Sequence, residues 1–201
     1  MASPKKKFSV LITGVPGTGK TTVADLLSWK TGAALLDINK TVKVLKLYTH
    51  TDEEDNAKVV KLKELQAELS STIKSEKRPL IVEGHLGCEM KLPVQKVVVL
   101  RCEPKTLRQR MAARNYPAAK VAANALSEAL DYCTVWSERN YGKAKVWEID
   151  TTERTPKEVA EEIEKIISGK IKRKLPPVSF PDALLREAIT GEKIRTAFDK
   201  S

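Results

Sequence analysis

The stretch from Leu11 to Leu27 reads LITGVPGTGKTTVADLL, and its interpretation decides the rest of the chain. Gly14, Gly19, Lys20 and Thr21 fit the spacing G-x-x-x-x-G-K-[ST], directly after an apolar run and directly before a helical pattern. Gly17 and Gly19 let the backbone curl so that successive N–H groups converge on phosphate oxygens. The helix opening near Lys20 aims its positive end at the same point. In this reading Lys20 reaches the β- and γ-phosphates of ATP, Thr21 places its hydroxyl on Mg²⁺, and Thr22 reaches the α-phosphate. The loop specifies nucleotide binding; whether the nucleotide is spent depends on residues elsewhere.

Outward from the loop, apolar runs recur at Phe8–Thr13, Ala33–Asp37, Leu80–Glu83, Val97–Arg101 and Lys145–Asp150. They are too uniformly hydrophobic to have one wet face, which is the signature of strands buried on both sides. Helical patterns separate them. Between Asn56 and Glu76, Val59, Leu62, Leu69 and Ile73 recur at helical spacing, and between Pro117 and Asn140 the stripe is Ala122, Leu126, Leu130, Cys133 and Trp136. A further helix opens at Thr155, with Pro156 in its first turn and Glu158 positioned to close a capping box, ahead of Val159, Ile163 and Ile166. Five alternations of strand and helix predict an α/β fold of the P-loop NTPase class: a five-stranded parallel sheet with helices on both faces.

The chain has 201 residues, enough for one core with an appended tail. The composition changes after Ser168, so residues 1–168 read as the domain and 169–201 as a basic C-terminal extension, carrying Pro176, Pro177, Pro181 and an amphipathic piece over Ala183–Ile189. Two readings of the extension stay open: a tail wrapped on the domain or left loose, and an RNA or partner contact. No apolar run reaches membrane-span length, and MASPKKKF carries charge without the apolar core of a signal peptide, so no membrane partner and a cytoplasmic protein are expected. Cys88, Cys102 and Cys133 lie far apart, in no metal-ligand spacing, and are expected to be reduced. A formal charge of +10 suits polyphosphate, RNA or ribonucleoprotein ligands.

Residues that turn binding into reaction belong at the carboxyl ends of neighbouring strands. LIVEGHLGCE places Glu83 and His85 there. A carboxylate at this position can hold the Mg²⁺ shell. His85 can orient a water, accept a proton or bond a phosphate, or it can simply stabilise the turn. His50, in a polar segment, is expected to face solvent. Arginines follow the fourth strand: Arg101, Arg108, Arg110 and Arg114. Guanidinium groups neutralise a moving phosphoryl group, and Arg114, beside the helix break at Asn115-Tyr116-Pro117, is the one assigned to the nucleotide.

The combination of GVPGTGKTT, an acid-x-His pair followed by Gly-Cys, and VVVLRCEPKTLRQRMAARNY resembles the adenylate kinase-like ribosome-assembly ATPase family, which includes eukaryotic nuclear adenylate kinases and archaeal relatives. The resemblance spans Phe8 to Ser168. It implies an adenylate kinase-like fold with a short lid near residues 113–123 and a monophosphate-binding segment near 37–60. It also implies transfer of phosphate between ATP and a nucleoside monophosphate, ATP hydrolysis, and a part in late maturation of the small ribosomal subunit through a platform ribosomal protein near rRNA. The implied ATP-loop residues are Gly17, Gly19, Lys20, Thr21 and Thr22, with Glu83 and His85 as the acid and histidine and Arg114 as the lid arginine; the implied location is nuclear in a eukaryote and cytoplasmic in an archaeon. The alternative within the same resemblance is a nucleotide-switched assembly factor with little kinase activity. Two departures stand out: Glu83-Gly84-His85-Leu86-Gly87-Cys88 replaces the Asp-Tyr-His-Gly-Cys of eukaryotic members, and no arginine lies between Asp37 and Val60. Lys40, Lys43 or Lys46 would then meet the monophosphate as point charges, which suits weak or broad use.

Overall fold

The computed structural model describes residues 7–51, 58–171 and 177–185. Strand β1 (Ser9–Thr13) leads through the glycine loop into α1 (Lys20–Thr31), followed by β2 (Ala34–Asp37), α2 (Ile38–Val44), β3 (Tyr48–Thr51), β4 (Lys58–Val60) and α3 (Leu62–Ser75). Strand β5 (Leu80–Glu83) ends in a 3-10 turn over His85–Glu89. Then come β6 (Lys96–Arg101), α4 (Pro104–Ala112), α5 (Ala118–Ala129), α6 (Tyr132–Tyr141), β7 (Val146–Asp150) and α7 (Pro156–Ser168). The five strands expected from the apolar runs pair in parallel in the order β2-β5-β1-β6-β7.

Alternation along each strand sorts the core into two layers. Val10 and Ile12 join Ile81, Val98, Leu100 and Ile149 against Val23, Ala24 and Leu27 of α1 and Val159, Ile163 and Ile166 of α7. Leu11, Leu80, Val82, Val97 and Val99 face the other way, onto Ile38, Val42, Leu65, Leu69, Ile73, Leu107 and Met111. Both faces being covered explains why the strands lack a polar side. The strand order also positions the site. The chain leaves the central β1 towards β2 on one side, while β6 lies on the other, so the loop after β1 sits in the crevice where the connections diverge. Gly14 is needed there: at φ +138° a Cβ would lie 2.4 Å from the Leu100 carbonyl oxygen on β6.

The Thr155 capping box forms as expected, with the Glu158 amide donating to Thr155 Oγ1 (3.3 Å) and the Thr155 amide to Glu158 Oε2 (2.8 Å). Two helical expectations need correction. Helix α3 begins at Leu62, because Lys58–Val60 pairs as β4 with β3 in an antiparallel ribbon, and Val59 is exposed. The stripe from 117 to 140 is broken between α5 and α6 by Asp131, whose φ of +53° interrupts the helix. Helix α5 is also rotated: Val121, Ala125 and Glu128 are buried while Leu126 and Leu130 face out. The cause is Arg101, which sequence reasoning grouped with the phosphate-facing arginines. It is 1% exposed, donates from Nε to Glu128 Oε1 (2.6 Å), and also bonds Asp131 and Glu148. Bringing Glu128 to this guanidinium turns its neighbours outward. Segment 177–185 of the extension lies nearby, its Val178 amide donating to Glu148 Oε2 (3.3 Å) and Phe180 under the Arg101 guanidinium (5.6 Å). The rest of the amphipathic piece, beyond 185, and the side chain of His50 lie outside the described residues. Among the described residues no helix is long and apolar enough to cross a membrane.

Candidate active site

Gly17 and Gly19 take φ of +94° and +91°, curling the loop into α1, whose amino end at Lys20 faces the crevice. The Val15 carbonyl is the internal acceptor of this curl: it takes the Lys20 Nζ donor at 2.9 Å and the Thr18 hydroxyl at 3.0 Å. Burial pushes the Lys20 ammonium below its ordinary pKa, and the nearby Cys133 and Glu83 groups oppose that. Thr21 Oγ1 donates to Glu83 Oε1 at 3.3 Å, joining the start of α1 to the tip of β5. Glu83 is 3% exposed, and its pKa is raised by burial and by the neighbouring Asp37 carboxylate, with Lys20 pulling the other way. A hydroxyl and a carboxylate converging beside the phosphate loop are hard oxygen donors, the set Mg²⁺ prefers together with water and phosphate oxygens.

His85 follows the turn at Gly84. Its Nδ1 lies 3.2 Å from the Gly14 carbonyl oxygen. A carbonyl can only accept, so this contact puts the imidazole proton on Nδ1 and leaves Nε2 as the acceptor. Burial and the Lys20 charge lower its pKa to about 4, so His85 is neutral at physiological pH. Its ring stacks on Tyr132 with centroids 6.1 Å apart.

Gly17, Gly19, Lys20, Thr21, Thr22, Glu83, His85 and Arg114 all line one polar cavity of about 170 Å³. Sequence reasoning assembled these eight from three separate segments, and the fold brings them together. It also adds Asn39 from α2, which lies in no motif, and Tyr116 from the turn after α4, which closes the stretch VVVLRCEPKTLRQRMAARNY but was assigned no role from the sequence. Arg114 and the glycine loop are shared with a second cavity of about 370 Å³, lined further by Arg110, Thr151, Arg154, Pro156 and Val159. This volume is in the range of a small-molecule site. Its residues from the β7–α7 connection were missed, although the position just past the fifth strand was the available signal. Arg110 is held there, Nη2 donating to the Thr151 and Thr152 carbonyls at 2.6 and 2.9 Å. Of the segments implied for lid and monophosphate, 113–117 is a turn with Asn115 at φ +57° leading into α5, and 37–51 forms α2 and β3 with Lys40, Lys43 and Lys46 exposed.

Comparison with known proteins agrees with this architecture. The family described as "AAA domain" matches residues 10–131. A Methanocaldococcus jannaschii protein named "Putative adenylate kinase" is 36% identical over 165 residues, covering 82% of this chain and 89% of the relative. A Natronomonas pharaonis protein of the same name is 36% identical over 175 residues, covering 87% and 99%. Among solved structures, shikimate kinase from Acinetobacter baumannii has a TM-score of 0.59 at 17% identity, covering 84% of this chain and 97% of that one. Thymidylate kinase from Candida albicans has a TM-score of 0.53 at 16% identity, covering 87% and 96%. At such identities these two structures speak for the fold, a P-loop sheet flanked by helices.

Proposed function

This chain belongs to the AAA domain family of P-loop proteins, and from that premise we propose that it is a nucleoside monophosphate kinase of the adenylate kinase type, ATP plus AMP giving two ADP, with ATPase activity. The carrying observation is the single polar cavity in which the glycine loop, Glu83, His85 and Arg114 meet. The names of its archaeal relatives support the same activity.

In this reading the nucleoside of ATP occupies the larger cavity beside Thr151 and Arg154, and its phosphates run past Arg114 onto the loop amides. Lys20 exchanges the Val15 carbonyl for the β- and γ-phosphates. Thr21 and Glu83 hold Mg²⁺, which when bound neutralises phosphate oxygens during transfer. Arg114 lies at the junction of both cavities on the turn after α4, where a small closing movement brings its charge onto the moving phosphoryl group and excludes water. His85, neutral and with Nε2 free to accept, orients the attacking oxygen. The monophosphate enters from the α2 side, past Asn39 and the exposed lysines, without a bidentate arginine from that segment.

The test is ADP formation from Mg²⁺·ATP with and without AMP. Acceleration by AMP, lost together with ATP binding in Lys20→Ala, is the expected result; ADP formation indifferent to AMP sinks the kinase reading. A second reading, a nucleotide-switched factor in small-subunit maturation that grips a platform ribosomal protein and rRNA, is favoured by the +10 charge. It requires a complex with a small-subunit ribosomal protein at low salt that responds to ATP. Absence of any complex counts against it.

A further inference from the structure

Cys88 and Cys133 carry no spacing signal, yet the fold brings both thiols to His85. Cys88 sits in the turn after β5 and Cys133 in the first turn of α6. Their sulfurs and a ring nitrogen of His85 all lie within 4.8 Å of one another. Cys133 Sγ is 3.5 Å from His85 Nδ1. Zinc bonds of about 2.3 Å to sulfur and about 2.0 Å to nitrogen, at a tetrahedral angle, require a sulfur–nitrogen separation of about 3.5 Å. Cys88 and Cys133 are 0% and 2% exposed and form no disulfide.

A second observation concerns the far side of the imidazole. A histidine that binds metal through one nitrogen commonly donates the other N–H to a carboxylate, which fixes the ring. Glu89 Oε1 lies 4.0 Å from His85 Nε2, one helical step along the same turn, and Tyr132 stacks on the ring face. The arrangement runs from carboxylate to imidazole to a pocket with two sulfurs.

We propose that His85 Nδ1, Cys88 Sγ and Cys133 Sγ form a three-ligand site for a thiophilic divalent cation, Zn²⁺ being the physiological candidate, and that its occupancy switches the enzyme off. Binding converts M²⁺ and two thiols into two metal–thiolate bonds and releases two protons; the imidazole proton moves from Nδ1 to Nε2, towards Glu89. The bond between His85 and the Gly14 carbonyl of the loop is then broken, and Nε2, now a donor turned to Glu89, has no lone pair left to offer the attacking oxygen of the proposed reaction. The two thiolates cancel the charge of the cation next to Lys20. Metal binding stands apart from the kinase reading, and only the inhibition rests on it.

Titration of the metal-free full chain with Co²⁺ tests the site directly. The expected result is one equivalent per chain, a thiolate-to-cobalt charge-transfer band in the near ultraviolet and the intense visible bands of a tetrahedral ion, displaced by Zn²⁺. Cys133→Ser and Cys88→Ser, each checked for a cooperative melt that ATP raises, lose the charge-transfer intensity. Glu89→Gln keeps the bands but binds about tenfold more weakly. No charge-transfer band in the wild-type chain, or undiminished bands in Cys133→Ser, overturns the site. For the switch, Zn²⁺ inhibits wild-type turnover, a chelator restores it, and Cys133→Ser resists. Equal inhibition of wild type and Cys133→Ser assigns the effect to the magnesium position and overturns the switch while leaving the cobalt result to judge the site.

Discussion

Replacing Arg101 with methionine tests whether this arginine is structural or phosphate-facing. The guanidinium is 1% exposed and is shared by three carboxylates: Glu128 at 1% side-chain exposure, Glu148 at 12% and Asp131 at 48%. Asp131 can turn to water and contributes little. Glu128 cannot: without Arg101, the partner it keeps among the described residues is the Cys102 amide, at 3.1 Å. Removing one partner of a buried ion pair costs about 3–5 kcal/mol. For a chain of this size, roughly 2–4 °C of melting temperature per kcal/mol gives a drop of about 6–20 °C. The deficit should deepen with rising pH. Deprived of its partner, buried Glu128 titrates above its unfolded value, so the folded state holds a proton that the unfolded state has released, and stability falls as that proton is lost. Urea denaturation at several pH values measures this, and Arg101→Met/Glu128→Gln should recover about 1 kcal/mol or more through the coupling between contacting residues. The KM for ATP of the folded variant stays at the wild-type value. A loss below about 1 kcal/mol, or an intact fold with weakened ATP use, refutes the assignment and returns Arg101 to the phosphates.

Gly14→Ala forces a Cβ to 2.4 Å from the Leu100 carbonyl oxygen at a φ of +138°, so about 3 kcal/mol or more of stability and calorimetrically detectable ATP binding should both be lost; a wild-type melt would contradict the contact. His85 titrates near 4 in the folded chain against 6.5 unfolded, so the unfolded state binds the extra proton first and stability falls as pH drops through this window. Without divalent metal, ~2 kcal/mol should vanish between pH 7.5 and 5, and His85→Gln should flatten that part of the profile; an unchanged slope in the variant would place the effect on another group.

What the sequence made legible was whatever is written locally. The glycine spacing, the doubly buried strands and the Thr155–Glu158 box each depend on a few adjacent residues, and each is found in the structure at the expected place. The site residues were legible because strand ends converge in a parallel sheet, so Glu83 and the loop had to meet. What was not legible depends on partners far away in the chain. The outward turn of Leu126 and Leu130 follows from Glu128 seeking Arg101, and Arg101 itself reads as one more basic residue until its carboxylates are seen around it. Cys133 looks like a core residue on a helical stripe, and only the docking of α6 against the turn after β5 sets it beside His85. Thr151 and Arg154 carry no motif because a cavity wall needs shape more than a particular chemistry.

The Val15 carbonyl oxygen already engages the lysine and a threonine of the loop as an acceptor, the part a phosphate oxygen would take in the proposed function. Lys20 left bulk water when the chain collapsed, so docking of a triphosphate swaps one oxygen acceptor for another with little stripping of hydration from the ammonium. Recognition by this loop is thereby largely built into the fold, and the small rotation that frees Nζ from its own backbone becomes the motion a ligand has to trigger.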